Sequence, residues 1–311
     1  MLNIIQNTIG ALQRSASTQA NLNFEFTVNT ANAGTLNTQF QLPLLSNGVI
    51  SIDVDWGDGS SDTITAYNQA ETLHTYSSSG VYTIKIANEV RGWSFNFGGD
   101  RLKIIDVSNC GEFNITTDST FYGCSNMAWT ATDAPTISLT NFYRVFKLCS
   151  SFNGTIDNWD MGSVTSISQM FDSCTIFNQP LNSWDTSSMT DFSYAFTGCG
   201  AFNQPLSNWN TGLVASMLRM FRNSSAFDQD ISSWDVSSLT TADKFKDGTV
   251  GFSTTNYDKI LIYWEPQALN TGVTAHFGTS KYTGGGVAAT AHASLTDAAT
   301  NNWTIIDGGI A

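Results

Sequence analysis

The sequence feature that most constrains the fold is a repeat with a period of 25 residues. Phenylalanine, cysteine and tryptophan each recur at this step, at fixed places within the unit. The recurring residues are Phe121, Phe146, Phe171, Phe196 and Phe221; Cys124, Cys149, Cys174 and Cys199; Phe152, Phe177, Phe202 and Phe227; and Trp159, Trp184, Trp209 and Trp234. A fixed period of this length is typical of a solenoid, because each unit buries its apolar face only by stacking on its neighbours.

The period suits a leucine-rich-repeat-like coil that holds a helical turn and a short strand. Apolar residues at i, i+3, i+6 and i+7 approximate one helical face, namely Val164, Ile167, Met170 and Phe171. Pro180 is expected to end that helix, because the residue before a proline is disfavoured in the helical region. A strand is expected around Leu181 and Trp184.

The recurring aromatic residues are predicted to be core rungs, since large apolar side chains favour the interior. The alternative is a stripe of tryptophans that serves as a sugar platform, which requires exposed indoles. The four cysteines of the period do not form close C-x-x-C pairs, and Cys110 lies outside the register. We therefore predict small, buried, reduced thiols rather than a zinc site or a disulfide framework.

Composition narrows the classes of function. Of the 311 residues, 41% are hydrophobic, and 13 Lys and Arg stand against 26 Asp and Glu, which gives a net charge of −13. The chain is long enough to bury a sizeable core, and its acidity disfavours a nucleic-acid partner. No hydrophobic run reaches the length of a membrane span.

The first residues of the sequence contain a short apolar stripe rather than the pattern of a secretory signal. The stripe consists of Leu2, Ile5, Ile9 and Leu12, at spacings of 3, 4 and 3. A helix this short is marginal alone in water. We therefore expect it to dock on other virion or surface-assembly proteins, within a larger assembly or a homo-oligomer; the alternative is that it packs on its own domain or frays.

Alternating segments from Phe24 onward predict half-buried strands. Between two of them, the acidic run "DVDWGDGSSD" does not fit a calcium-binding EF-hand, and Gly57, Asp58 and Gly59 fit a hairpin turn instead. The segments "VDWGDGSSDTITAY" and "HTYSSSGVYTIKI" resemble a PKD-like, immunoglobulin-type β-sandwich. That resemblance implies that Trp56 fills the core and that His74, Tyr76 and Tyr82 belong to the same motif.

The repeat units, with "FYGCSNMAWTATDAPTISLTNFYRVF" before them, resemble the BspA-like leucine-rich-repeat surface proteins. The predicted fold is mainly β with short helices, in four parts. These are a docking segment (1–22), a PKD-like β-sandwich (23–98), a solenoid of 25-residue coils (99–250) and a C-terminal cap (251–311). Trp93, Phe95 and Phe97 alternate at the junction and are expected to join the first two cores.

The resemblance implies adhesion or recognition, with neither catalytic residues nor a cofactor. We expect a non-enzymatic protein of a phage virion surface or tail that binds a host-cell protein or glycan. The alternatives are a bacterial cell-surface adhesin and a structural virion spacer. The candidate ligand-binding residues precede the Trp rungs and differ between units: Asn158, Ser183, Asn208 and Ser233.

An enzymatic alternative is a glycan depolymerase that uses paired carboxylates from Asp160, Asp185 and Asp235. The fourth unit has Asn210 at the same place. Such recurrence is expected of a residue that caps a turn, so we disfavour catalysis.

Overall fold

The computed structural model describes residues 21–48 and 51–311, so the expected docking stripe lies outside the described residues. The fold is mainly β with a few short helices, as predicted. The strands are β1 (Phe24–Asn29), β2 (Gln39–Gln41), β3 (Ile52–Asp55), β4 (Ser61–Ile64), β5 (Leu73–Thr75), β6 (Val81–Ala87), β7 (Ile104–Asn109), β8 (Asn114–Ile115), β9 (Ala128–Trp129), β10 (Thr136–Ile137), β11 (Thr274–His276) and β12 (Thr304–Ile306). The helices are one 3-10 turn (Ala70–Thr72), α1 (Thr254–Trp264) and α2 (Val287–Thr296).

The N-terminal part is built on a six-stranded sheet with the order β4-β3-β6-β1-β7-β9. The central strand β1 alternates strictly, because Phe24, Phe26 and Val28 are buried while the residues between them are half-buried. It pairs antiparallel with both β6 and β7. Strands β2 and β5 form a separate antiparallel pair.

The sheet and the repeat region share one hydrophobic core. Strand β7 follows residue 98 in the chain and pairs with β1 on one side and, in parallel, with β9 on the other. The ring of Trp93 lies 5.3 Å from that of Phe24 and 6.2 Å from that of Phe113, which is 5.8 Å from Phe121. The first rung of the repeat thus packs directly on the N-terminal core.

Successive repeat units stack in parallel. Residues 138–253, all of them described, contain neither a helix nor a strand. Isolated parallel bridges link equivalent positions instead, in the series Asn141, Ser166, Asp191, Ser216 and Thr241. Backbone hydrogen bonds repeat at the same interval; for example, the Phe171 amide donates to Ala195 and the Phe196 amide to Met220, both over 2.9 Å.

The helical turn predicted within each unit is wrong. The amides of Met170, Cys174 and Phe177 donate to carbonyls three residues earlier, in a series of separate turns. Gln169 and Ser173 have φ angles of 57° and 66°, in the left-handed region, so a right-handed helix cannot run through them.

The strand predicted around Leu181 and Trp184 is also wrong. The Trp184 amide donates to the Leu181 carbonyl over 3.2 Å and so closes another turn. The parallel bridges lie instead at the opposite end of the unit, beside Ser166 and Asp191.

The interior of the stack consists of columns of equivalent side chains. Ring centroids of Phe171 and Phe196 lie 5.4 Å apart, and those of Trp184 and Trp209 lie 6.3 Å apart. All the recurring Phe, Cys and Trp residues are buried. Stacked rings of this kind add to the free energy gained by burying their apolar surface.

The C-terminal region covers the last unit. Helix α1 begins after Ser253, whose hydroxyl accepts from the Asn256 amide, and it buries an apolar face that includes Ile260 and Trp264. Strand β11 bridges to Ala242 and pairs in parallel with β12. The Ala-rich helix α2 and the strand β12 complete this region.

Candidate functional site

The four outer turn positions singled out from the sequence are exposed, but their polar groups bond to the preceding unit. The Ser183 hydroxyl donates to the Asp157 carbonyl over 2.8 Å, and the Ser233 hydroxyl to the Ser207 carbonyl over 3.1 Å. The Asn158 side chain donates to the Thr132 carbonyl, whereas at Asn208 the backbone N–H donates to Asn182 Oδ1. These residues tie neighbouring units together.

The tryptophans are not available as a sugar platform, because each is at least 96% buried. In three units the indole N–H donates to a carbonyl 28 residues earlier; Trp184 donates to Ile156 and Trp209 to Leu181, each over 2.9 Å. The cysteine column also bonds to carbonyls 28 residues earlier; for example, the Cys174 thiol donates to the Phe146 carbonyl over 2.9 Å.

The cysteines are free thiols, and all five are buried. Burial raises the pKa of Cys124, Cys149, Cys174 and Cys199 well above the usual range. Cys110 lies outside this column, and its backbone amide donates to the Asp133 carboxylate. Burial raises the pKa of the Cys110 thiol as well. A thiolate nucleophile is therefore strongly disfavoured at each position.

The recurring aspartates act as turn caps. The Oδ1 atoms of Asp160, Asp185 and Asp235 accept from the amide two residues later, at 2.9–3.2 Å, and Asn210 does the same in the remaining unit. Hydrogen bonds from Ser187 and Ser237 lower the pKa of Asp185 and Asp235. A glycosidase needs one carboxylic acid with a raised pKa, and the pKa values of Asp185 and Asp235 are shifted in the opposite direction.

The residues of the PKD-like motif form a packed cluster beside the β3–β4 hairpin. The Trp56 indole stacks on His74 at 4.6 Å, and the Tyr76 ring stacks on Tyr82 at 3.8 Å. Asp58 stands between Gly57 and Gly59 in the turn, and its Oδ2 atom lies 3.0 Å from His74 Nε2. Partial burial acts to raise the pKa of Asp58, but hydrogen bonds from Ser60 and His74 outweigh it and lower that pKa to about 2.

Among residues 21–48 and 51–311, no group of three His, Cys, Asp or Glu side chains is placed to share a metal ion. The carboxylates of Asp53 and Asp62, in the acidic run, instead accept hydrogen bonds from neighbouring side chains. Asp53 accepts from Thr63 over 2.6 Å, and Asp62 accepts from the Trp56 indole over 2.8 Å.

One edge of the stack carries a row of left-handed residues. At the same place in successive units, φ is between 54° and 60°, and none of the six residues is Gly or Asn: Ser119, Arg144, Gln169, Tyr194, Arg219 and Lys244. A second such row, four residues later, includes Gly123, Gly198 and Asn223, which suit this backbone. From Arg144 onward, the first row therefore keeps long side chains where a left-handed backbone costs about 1 kcal/mol per residue.

These side chains form alternating contacts between cations and aromatic rings. The Arg144 guanidinium lies 4.4 Å from the Tyr143 ring and 5.7 Å from that of Tyr122. Further along, Arg219 lies 5.2 Å from the Tyr194 ring. We call this surface the arginine-aromatic ladder; it comprises Phe97, Arg101, Tyr122, Tyr143, Arg144, Gln169, Tyr194, Arg219 and Lys244.

The end of the ladder nearest the N-terminal sheet opens onto a groove of about 430 Å³. Phe97 is 48% exposed there, stacks on Tyr122 at 5.0 Å and has Arg101 over its face at 4.4 Å. The expectation that Phe97 joins the two cores is therefore wrong, although Trp93 and Phe95 are buried. Gly123 makes room for this arrangement, because a Cβ at that position would lie 2.6 Å from the Phe97 ring.

The groove crosses three units, since its lining also includes Leu148 and Ser173 of the second left-handed row. It is mostly apolar, with hydroxyl groups of Ser125, Ser150 and Thr175 along one side. These hydroxyls are equivalent in the repeat, and those of Ser150 and Thr175 each donate to the carbonyl one unit earlier.

Sequence reasoning missed the ladder. The available signal was one place in the unit, five residues before each cysteine of the column and two before the Phe rung. Residue type varies there between units, whereas the Phe rung is constant. The contacts between these side chains could not be predicted from the sequence. Arg144, Gln169 and Tyr194 are separated by 25 residues each and come together only when the units stack.

The repeat region matches one known family. Residues 140–258 match the model described as a Mycoplasma protein of unknown function, DUF285. The match supports the BspA-like resemblance within the repeats, covers less than half of the chain and does not include the PKD-like part. No curated protein and no solved structure matches this chain. Neither helix among the described residues is long and apolar enough to cross a bilayer.

Proposed function

We propose that this protein is a non-enzymatic recognition protein that binds a host-cell surface through the arginine-aromatic ladder. In this proposal the repeat units form a BspA-like solenoid, and the N-terminal strands form a PKD-like sandwich that presents it. The protein acts at the surface of a phage virion or of a bacterial cell. Repeat proteins build extended binding surfaces from fixed inner columns and variable outer positions, and the stack has both.

The observation that carries the proposal is the retention of Arg144, Gln169, Tyr194, Arg219 and Lys244 in left-handed conformations. Glycine relieves this strain, and the second row includes Gly123 and Gly198, whereas the first row has no glycine. Residues held in sparsely populated backbone regions cluster at binding and catalytic sites, where their side chains are needed. Arg and Tyr are also the residue types enriched at binding hot spots.

The test measures attachment to cells. Labelled full-length protein is incubated with a panel of bacterial cells, and both retention and released reducing sugar are recorded. We expect retention on susceptible cells without release of sugar. A variant with Arg144→Gln and Arg219→Gln should lose most of this retention.

The matched control carries Lys85→Gln and Lys259→Gln, which remove the same charge from exposed ion pairs with Glu25 and Asp230 outside the ladder. It should bind like the unmodified protein. Release of sugar would instead support the depolymerase alternative, and binding only to virion proteins would support the spacer.

A further inference from the structure

Within residues 138–253, positive charge lies on the ladder edge except for Lys246, which is buried at the position of the Phe column. Residues 138–253 contain six Lys and Arg and ten Asp. All six cations lie in equivalent stretches of three units, 144–147, 219–222 and 244–247. Because the whole chain carries a net charge of −13, this edge is where an anionic group would meet favourable local charge.

The cations on this edge differ in their availability. Lys147 is paired with Asp172 at 2.7 Å, and Arg222 with Asp247 at 3.4 Å. Arg144, Arg219 and Lys244 have no ion-pair partner within the described ranges. They are therefore free to meet an external anion.

Two ladder arginines also have unmet hydrogen-bonding capacity. The Nε atoms of Arg101 and Arg219 are buried and have no protein acceptor among the residues described. A buried donor left without an acceptor costs about 1–3 kcal/mol. Because these Nε atoms are inaccessible, an external anion would form its charge-assisted bonds with the outer nitrogens of the guanidinium groups.

Two of the free cations, Arg144 and Arg219, are separated by neutral residues, whereas Lys244 lies in the unit next to Arg219. Arg144 and Arg219 are three units apart, which is about 15 Å for stacked strand-like layers. The two units between them present Gln169 and Tyr194 at the equivalent places. Such a surface suits a chain in which charged groups alternate with neutral, ring-shaped ones.

The acidic residues of the same edge exclude a densely charged ligand. Asp247 lies in the last of these stretches and Asp243 directly before it, and Asp172 is the partner of Lys147 from the neighbouring unit. A phosphate polymer or nucleic acid, with a charge at every unit, would be placed against these carboxylates. A sparsely charged chain avoids them.

We propose that the arginine-aromatic ladder binds an acidic polysaccharide, whose carboxylates pair with Arg144 and Arg219 and whose neutral sugars lie along Gln169 and Tyr194. This inference rests on the proposed function and specifies its ligand class. Arginine suits carboxylates because its planar group donates two parallel hydrogen bonds. Tyrosine suits the apolar face of a sugar because it combines an aromatic ring with a polar hydroxyl.

The test measures binding of full-length protein to one backbone at several charge densities. The probes are polygalacturonate, the same polymer partly methyl-esterified, its carboxyl-reduced form, and inorganic polyphosphate. We expect the partly esterified polymer to bind most tightly and the carboxyl-reduced form to bind at least about tenfold more weakly, as lost charge-assisted bonds predict. The variant with Arg144→Gln and Arg219→Gln should lose about tenfold or more, while that with Lys85→Gln and Lys259→Gln stays within about twofold.

Equal binding of the carboxyl-reduced polymer, or tighter binding of polyphosphate, would overturn the inference. So would unchanged affinity in the ladder variant, provided that its unfolding transition matches that of the control. Retention on cells without binding to any acidic polysaccharide would overturn this inference and leave the proposed function standing. Failure of cell retention alone would count against the proposed function instead.

Discussion

At the scale of single residues, one position in the repeat unit serves two requirements that conflict. The backbone at Arg144, Tyr194 and Arg219 is left-handed because successive turns must bring the chain back under the preceding unit. Side chains at this place contact their equivalents in the neighbouring unit, as Arg144 does Gln169 and Arg219 does Tyr194. Stability favours glycine there, whereas the proposed recognition favours arginine and tyrosine.

Lys246 gives a prediction about pH at the same scale. Burial lowers the pKa of its ammonium group to about 8, and its Nζ donates to the Ser224 carbonyl over 2.5 Å. An unfolded lysine keeps its proton up to about pH 10.4. Between these values the unfolded state binds more protons, so folding stability rises with pH.

We therefore compare the protein with a Lys246→Met variant by urea unfolding from neutral pH to about pH 10. The stability of the unmodified protein relative to the variant should rise over this window, by at most about 3 kcal/mol. A difference that stays constant across the window would mean that Lys246 titrates normally. Lys103 and the tyrosines are present in both proteins, so their titration cancels.

At the scale of elements, the C-terminal helix acts as the last rung of the stack. Trp264 of α1 donates its indole N–H to the Ile231 carbonyl, as Trp234 does to Leu206 one layer earlier. Its ring also packs on Phe245 and Phe277. The helix thus replaces a repeat unit with a different backbone while it preserves the interior column.

Adjacent residues of α1 test this role. Trp264 is 1% exposed and Tyr263 is 58% exposed. Trp264→Ala should lower the free energy of unfolding by about 3–5 kcal/mol through the cavity it leaves. Tyr263→Ala should change it by no more than about 0.5 kcal/mol. Equal effects in denaturant unfolding would argue that α1 does not close the stack.

At the scale of the whole molecule, the N-terminal sheet and the stack depend on each other. Phe113 lies between them, with its ring 4.3 Å from Phe24 and 5.8 Å from Phe121. Strand β9, at the start of the repeat region, completes the edge of the N-terminal sheet. Opening either part would expose apolar surface of the other.

We predict that the whole molecule unfolds in one cooperative transition. A substitution at the junction should therefore destabilise both parts. Phe113→Ala should reduce amide-exchange protection of β6 and of residues 214–221 together, by about 3–5 kcal/mol. Hydrogen exchange read by mass spectrometry measures both segments in one experiment. Loss of protection in β6 alone would indicate two independently stable parts.

The sequence by itself determined the interior of this protein. A period of 25 residues sufficed to identify the Phe, Cys and Trp columns as equivalent, and apolar character sufficed to predict them as core. The alternation of Phe24, Phe26 and Val28 likewise predicted a half-buried strand. Both arguments work because burial depends on residue type and spacing along one segment.

Only the tertiary structure decided the path of the backbone within a unit and the chemistry of its edge. The spacing from Val164 to Phe171 suits a helix, but stacking bonds from Gln169 and Ser173 to the next unit hold these residues left-handed. The ladder arises in the same way, because Arg144 meets Gln169 only after 25 residues of chain have returned beneath it. Contacts between units depend on how the chain closes each turn, and no local pattern of residues encodes that closure.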